Sequence, residues 1–69
     1  MDIKIKMYIR WARKARGLTL EQVSAITGID ADRVSLIERG REVPRLDTLA
    51  KIAISLETPA HELYEYSLE

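Results

Sequence analysis

Apolar positions recur every three to four residues along most of this chain, and glycines or prolines punctuate them. Ile5, Ile9 and Ala12 have the spacing of one buried helix face, which predicts a first helix from about Lys4 to Arg16. Ile3-Lys4-Ile5-Lys6-Met7 also alternates, so a short N-terminal strand competes with the start of that helix. Gly17 is its expected end, because glycine accepts the left-handed backbone just past a helix C-terminus. Thr19 and Gln22 form a T-x-x-Q capping box that opens a second helix, and Leu18 and Val23 are placed to close over it as a hydrophobic staple. Gly28 stops this helix. Ile29 and Val34 repeat the staple around Asp30, the N-cap of a third helix that runs to Arg39 and stops at Gly40. Pro44 marks a loop, after which Leu46, Leu49, Ile52, Ala53 and Leu56 form the apolar stripe of a fourth helix. Thr58-Pro59, a cap followed by proline at the first helical position, predicts a short fifth helix through about Tyr66. The expectation is an all-α fold of five short helices, with residues 1–69 forming a single compact domain.

Two short helices joined by a tight turn make up residues 18–40. That arrangement is the helix-turn-helix, here at about 20–39, which lays its second helix into the major groove of DNA. Sixty-nine residues bury a small core, so tight helix packing or pairing with a second copy is expected. The chain has no Cys and one His, which leaves no disulfide, no thiolate metal site and no zinc site. His61 reads as a surface residue in the first turn of the fifth helix. No apolar run approaches a membrane span and no signal peptide is visible, in keeping with a cytoplasmic protein. No nucleophile–base pair and no glycine-rich phosphate loop is present, so neither enzyme chemistry nor a cofactor is expected.

Zero net charge is unusual for a nucleic-acid binder, but the charge is unevenly spread. Residues 1–45 hold ten Lys/Arg and six Asp/Glu, a net +4; residues 46–69 hold one Lys and five acids, a net −4. DNA responds to the local field at the docking face, which is the basic part of the chain.

Ile9-Arg10-x-x-Arg13, Gly17-Leu18-Thr19, Gly28 and Val34-Ser35-x-Ile37-Glu38-Arg39-Gly40-Arg41, followed by Pro44, Leu46 and Thr48-Leu49, resemble the phage repressor and Cro-like (XRE) helix-turn-helix family. The resemblance covers about Ile5 to Leu63 and implies a lambda-repressor-like DNA-binding domain. Ser24 stands where the family commonly has Ala. The helix from Ala31 to Arg39 is then the recognition helix. Its outward residues Ala31, Asp32, Ser35, Leu36 and Arg39 are the base-contact candidates, since Val34 and Ile37 point inward. Ser35 can donate to or accept from a base edge, Leu36 can meet a thymine methyl, and Asp32 can accept from cytosine N4. Asp32 equally suits the positive end of its own helix. Thr19, Arg10, Arg39, Arg41 and Arg45 are the phosphate-contact candidates. Leu20 sits where some relatives carry a phosphate-binding Gln, and Arg45 occupies the usual Ser cap position of the fourth helix. The resemblance also implies a buried structural ion pair between Arg13 and Glu38.

Relatives bind near-palindromic operators as dimers. Ile54 breaks the polar face of the fourth helix, and Tyr64, Tyr66 and Leu68 add apolar surface beyond the core. These four residues are expected to form a homodimer interface through the fourth and fifth helices, the competing arrangement being that Tyr64 and Tyr66 fold back toward Trp11. The expected function is that of a small bacterial or phage transcriptional regulator at the nucleoid, a repressor acting by occupancy of double-stranded DNA. The alternatives are an antitoxin with a toxin partner, the DNA-binding part of a longer regulator, and a protein-interaction module that kept the fold but lost DNA binding.

Overall fold

The computed structural model describes Met1–Glu69. The elements run β1 (Ile3–Met7), α1 (Ile9–Ala15), α2 (Leu20–Thr27), α3 (Ala31–Glu38), α4 (Leu46–Ser55), a single 3-10 turn at Ala60–Glu62, and β2 (Tyr64–Leu68). The four helices enclose one core of Ile9, Val23, Ile29, Val34, Ile37, Leu49, Ile52, Ala53, Leu56 and Leu63. Seven of these side chains, all but Ile29, Leu49 and Ala53, have no solvent exposure.

Both ends of the chain depart from the all-α expectation. Ile3–Met7 is a strand and not the first turns of a helix, so α1 begins only at Ile9. Ile5, expected on the core face, is exposed. The fifth helix is reduced to one 3-10 turn, and Tyr64–Leu68 is a strand antiparallel to β1. The physical reason is long-range. Ile3-Lys-Ile-Lys-Met7 and Tyr64-Glu-Tyr-Ser-Leu68 both alternate with period two, and their apolar residues stand directly opposite one another: Ile3 against Leu68, Ile5 against Tyr66, Met7 against Tyr64. Pairing satisfies two sets of backbone groups that a frayed terminal helix would leave to water. The Thr58 hydroxyl, expected to cap a following helix, instead donates back to the Leu56 carbonyl at 3.0 Å.

The ribbon is fastened to the helices at its base. The Tyr8 N–H donates to the carbonyl of the fully buried Leu63 at 2.7 Å, next to the fully buried Ile9. The Tyr8 hydroxyl donates to the Glu65 carboxylate. At the far side of the helical unit, Arg16 of the α1 end pairs with Glu57 just past α4. Glu57 has φ of 51° and closes α4, its N–H bonded to the Ile54 carbonyl while Thr58 N–H reaches back to Ala53.

The hydrogen bond to Glu65 raises the Tyr8 phenol above its ordinary value of 10.0, with desolvation and the carboxylate charge acting in the same direction. A phenol held protonated keeps this tether below its ordinary pKa, and the tether is lost as pH rises through the raised value. Following the Tyr8 ring by NMR through an alkaline titration should therefore give a midpoint above 10 in the native chain. In Glu65→Gln the midpoint should fall back toward the ordinary value; an unchanged midpoint would show that Glu65 does not hold Tyr8.

Candidate nucleic-acid interface

The pair α2–α3 is built almost wholly from local chemistry. Thr19 and Gln22 cap each other's backbone: Gln22 N–H donates to Thr19 Oγ1 at 3.1 Å, and Thr19 N–H donates to Gln22 Oε1 at 2.8 Å. Gly28 ends α2 with φ of 78°, its N–H bonded to the Ser24 carbonyl at 2.8 Å. The turn has a further support that the sequence pattern did not single out. Thr27 Oγ1 donates to the Val23 carbonyl at 2.8 Å and accepts from the Ile29 N–H at 3.1 Å. Asp30 then caps α3, its Oδ1 accepting from the Asp32 N–H at 2.8 Å. Val23 and Val34, the inward halves of the two staples, are fully buried.

The third helix is oriented by Arg13 of α1. Arg13 Nε donates to Glu38 Oε2 at 2.6 Å, Nη2 donates to Glu38 Oε1 at 3.1 Å, and Nη1 donates to the Leu18 carbonyl at 2.9 Å. The Arg13 side chain keeps 11% of its surface and Glu38 5%, so the pair lies largely out of water. The bond to Glu38 raises the guanidinium pKa further, against an opposing desolvation. One planar fork thus joins α1, the chain entering α2 and the end of α3.

With Val34 and Ile37 fixed in the core, the opposite side of α3 faces solvent. Asp32, Leu36 and Arg39 are exposed, and Ala31 and Ser35 are partly so. Arg39 Nε lies 3.4 Å from the Ser35 carbonyl, along the same face. Thr19, Arg41 and Arg45 are exposed at the start of α2 and in the loop after α3. Arg45 N-caps α4 without any side-chain capping bond and lies 3.3 Å from Asp47. Arg10 is exposed on α1, where it borders a shallow cleft with Lys6 and Glu38 at the C-terminal end of α3. Lys6 joins the basic set only because β1 carries it there. Arg33 Nε donates to Glu42 Oε2 at 2.7 Å, bracing the loop that holds Arg41 against α3. Nothing in the spacing of Arg33 and Glu42 announces this pair.

The residues expected at a dimer interface do not form one surface. Tyr64, Tyr66 and Leu68 lie together on β2. Ile54 lies on a separate surface beside Ala50, Pro59 and Ala60. Trp11 lies at a tilt beside Tyr8, ring centroids 6.5 Å apart, rather than against Tyr64 or Tyr66. His61 is exposed. No group of His, Asp or Glu is arranged to hold a metal ion, and no helix is long and apolar enough to cross a membrane.

A family model described as helix-turn-helix matches residues 9–63. The HTH-type transcriptional regulator DdrOP3 of Deinococcus deserti is 33% identical over 63 residues, covering 91% of this chain and 49% of that protein. The chain thus spans about half the length of this curated relative. Among solved structures, the restriction-modification controller protein C.AhdI of Aeromonas hydrophila aligns with a TM-score of 0.75 and 31% identity, over 78% of this chain and 82% of its own.

Two substitutions probe the scaffold. Gly28 has open space where a Cβ would stand, so Gly28→Ala carries only the backbone cost of a left-handed residue. Denaturant unfolding should show a loss of about 1 kcal/mol, and a smaller one for Gly28→Asn. Truncating either Arg13 or Glu38 to Ala should cost about 3 kcal/mol, because each leaves a charge stranded. The double variant should cost far less than the sum; additive losses would show that the two side chains are not coupled.

Proposed function

The chain belongs to the helix-turn-helix family, and from that membership we propose that it is a sequence-specific double-stranded DNA-binding protein acting as a small transcriptional regulator. The observation that carries this reading is α3. Its buried side is locked by Val34, Ile37 and the Arg13–Glu38 fork, while Ala31, Asp32, Ser35, Leu36 and Arg39 are left to water on the other. A helix held this rigidly with a free face suits insertion into the major groove. Ser35 and Arg39 are the hydrogen-bonding base readers, the first as donor or acceptor and the second as donor, with Leu36 offering an apolar contact to a thymine methyl. Thr19, Arg41 and Arg45 grip phosphates on either side, with Arg10 farther out.

The protein acts by occupancy, as a repressor, and uses neither catalysis nor a cofactor. It works in the bacterial cytoplasm as a homodimer on a near-palindromic site, which doubles a modest set of contacts per subunit. Asp30 and Asp32 at the start of α3 favour the rival reading, a domain turned to protein partners. Both already have a structural use there, Asp30 as the cap and Asp32 beside the positive helix end.

An NMR titration with a generic duplex at two salt concentrations tests the proposal. Shifts should cluster on Thr19, residues 31–41 and Arg45 and fade steeply with salt. A log–log slope near −4 per subunit corresponds to about four or five phosphates neutralised. Arg45→Ala should weaken binding to all sequences and reduce that slope by about 1, whereas Ser35→Ala should alter base preference. Absence of shifts on α3 would overturn the DNA-binding reading.

A further inference from the structure

The β-ribbon has one face that the fold does not cover. Side chains alternate across a strand, so Ile3, Ile5 and Met7 of β1 share a face with Tyr64, Tyr66 and Leu68 of β2. Lys4, Lys6, Glu65 and Ser67 take the other face, which is polar throughout. Only Met7 and Tyr64, at the base, pack against the helical core. Ile3, Ile5, Tyr66 and Leu68 remain 44–71% exposed. The apolar surface continues across a shallow groove of about 180 Å³ to Val43, Pro44 and Leu46, of which Val43 is 71% and Leu46 83% exposed.

We propose that a second copy of this chain covers this face, ribbon against ribbon, and that this is the dimer interface. The proposal rests on the homodimer reading above and says where that dimer forms. Three observations select a second copy as the occupant. First, a two-fold axis makes a patch meet itself, so a patch of single-sign charge would repel its own image. This one carries no charged side chain on its strand positions, and an apolar patch is complementary to itself. Second, the exposed side chains present on the order of 600 Å² of apolar surface, at the top of what a monomer leaves bare and near the ~800 Å² per partner of a standard interface. Third, an isolated two-stranded ribbon is marginal in water. Here it is anchored only at its base, through the Tyr8 hydrogen bonds and the packing of Met7 and Tyr64 on the core, and a covering layer supplies what the rest of its length lacks.

The location suits the proposed DNA complex. Val43 and Leu46 lie on either side of Arg45 and within five residues of Arg41, so the patch adjoins the proposed phosphate-contacting loop of each subunit. Joining two subunits at this face brings the two loops toward the dyad. The Ile54 surface lies elsewhere, beside Ala50 and Pro59, and takes no part.

Sedimentation analysis of the full chain at tens of micromolar decides the matter, with circular dichroism reporting the helices. The native chain should be a dimer. Tyr66→Lys and Leu68→Lys should each be monomeric with native helix content and should bind a palindromic duplex at least tenfold more weakly. Ile54→Lys should remain a dimer. Isotope-filtered NOEs between labelled and unlabelled native chains should connect Ile5 and Tyr66 methyl and ring protons across subunits, which keeps the test decisive if a lysine variant fails to fold. A native dimer that Ile54→Lys dissociates, with inter-subunit NOEs at Ile54 and Ala50, would overturn the ribbon interface and leave the homodimer reading intact. A native monomer with and without DNA would overturn both.

Discussion

The Arg13–Glu38 fork is the interaction on which the geometry of this domain depends. It is made of two charges largely removed from water, with Arg13 also bonded to the Leu18 carbonyl. A buried ion pair is poor at adding net stability, because desolvation of both partners offsets much of their attraction. What it does well is refuse alternatives. Apolar contacts among Ile9, Val23, Val34 and Ile37 are tolerant of sliding, since one close-packed aliphatic surface resembles another. A planar guanidinium facing a carboxylate is satisfied at one distance and one orientation. Its third bond reaches the residue just before the Thr19 cap, so the start of α2 is tied to the end of α3. The outward face of α3 therefore has a defined pitch relative to Thr19 on one flank and Arg41 on the other.

Around that fork, the charges divide between fold and surface. Asp30 is spent on the α3 cap, Arg33 and Glu42 on bracing the loop after α3, Arg16 and Glu57 on joining the ends of α1 and α4. Arg45 has Asp47 nearby, an exposed pair of small energetic value that DNA phosphate can displace. Zero net charge is thus compatible with a basic docking edge, since much of the acid either has an internal basic partner or sits in the C-terminal part of the chain. It also implies few phosphate contacts per subunit. In the proposed dimer, a site read by so few contacts would gain selectivity chiefly by being read twice.

The central helices were legible from sequence because independent local signals agree there. At α2 the capping box, the staple and Gly28 all name the same boundaries, and at α3 Asp30, Val34 and Gly40 do likewise. The outward face of α3 followed once Val34 and Ile37 were assigned to the core, as helical periodicity leaves little choice. The chain ends were not legible in the same way. Ile3–Met7 carries both a helical and a strand period, and Thr58-Pro59 is a sound helix start. What decides is pairing between the two termini, and no local window contains both strands. The Arg13–Glu38 pair spans 25 residues and entered through family resemblance, not spacing. The Arg33–Glu42 brace and the Thr27 hydroxyl in the turn depend on side-chain directions that a linear pattern does not encode.

The ribbon and the DNA-facing loop are physically one region. Val43 and Leu46 belong to the apolar surface, and the exposed Arg41 and Arg45 lie in the same short segment. Covering the ribbon with a second copy buries Val43 and Leu46 and so restricts the backbone that carries the two arginines. Ordering that loop before DNA arrives removes part of the conformational cost that phosphate binding would otherwise bear. Linkage then makes the effect reciprocal: whatever factor dimerisation adds to DNA affinity, DNA adds to dimer affinity. A small core that leaves its terminal ribbon half-supported is, on this view, a means of coupling assembly to operator binding. In the proposed dimer, a two-fold DNA site would supply the symmetry that the apolar face alone can only permit.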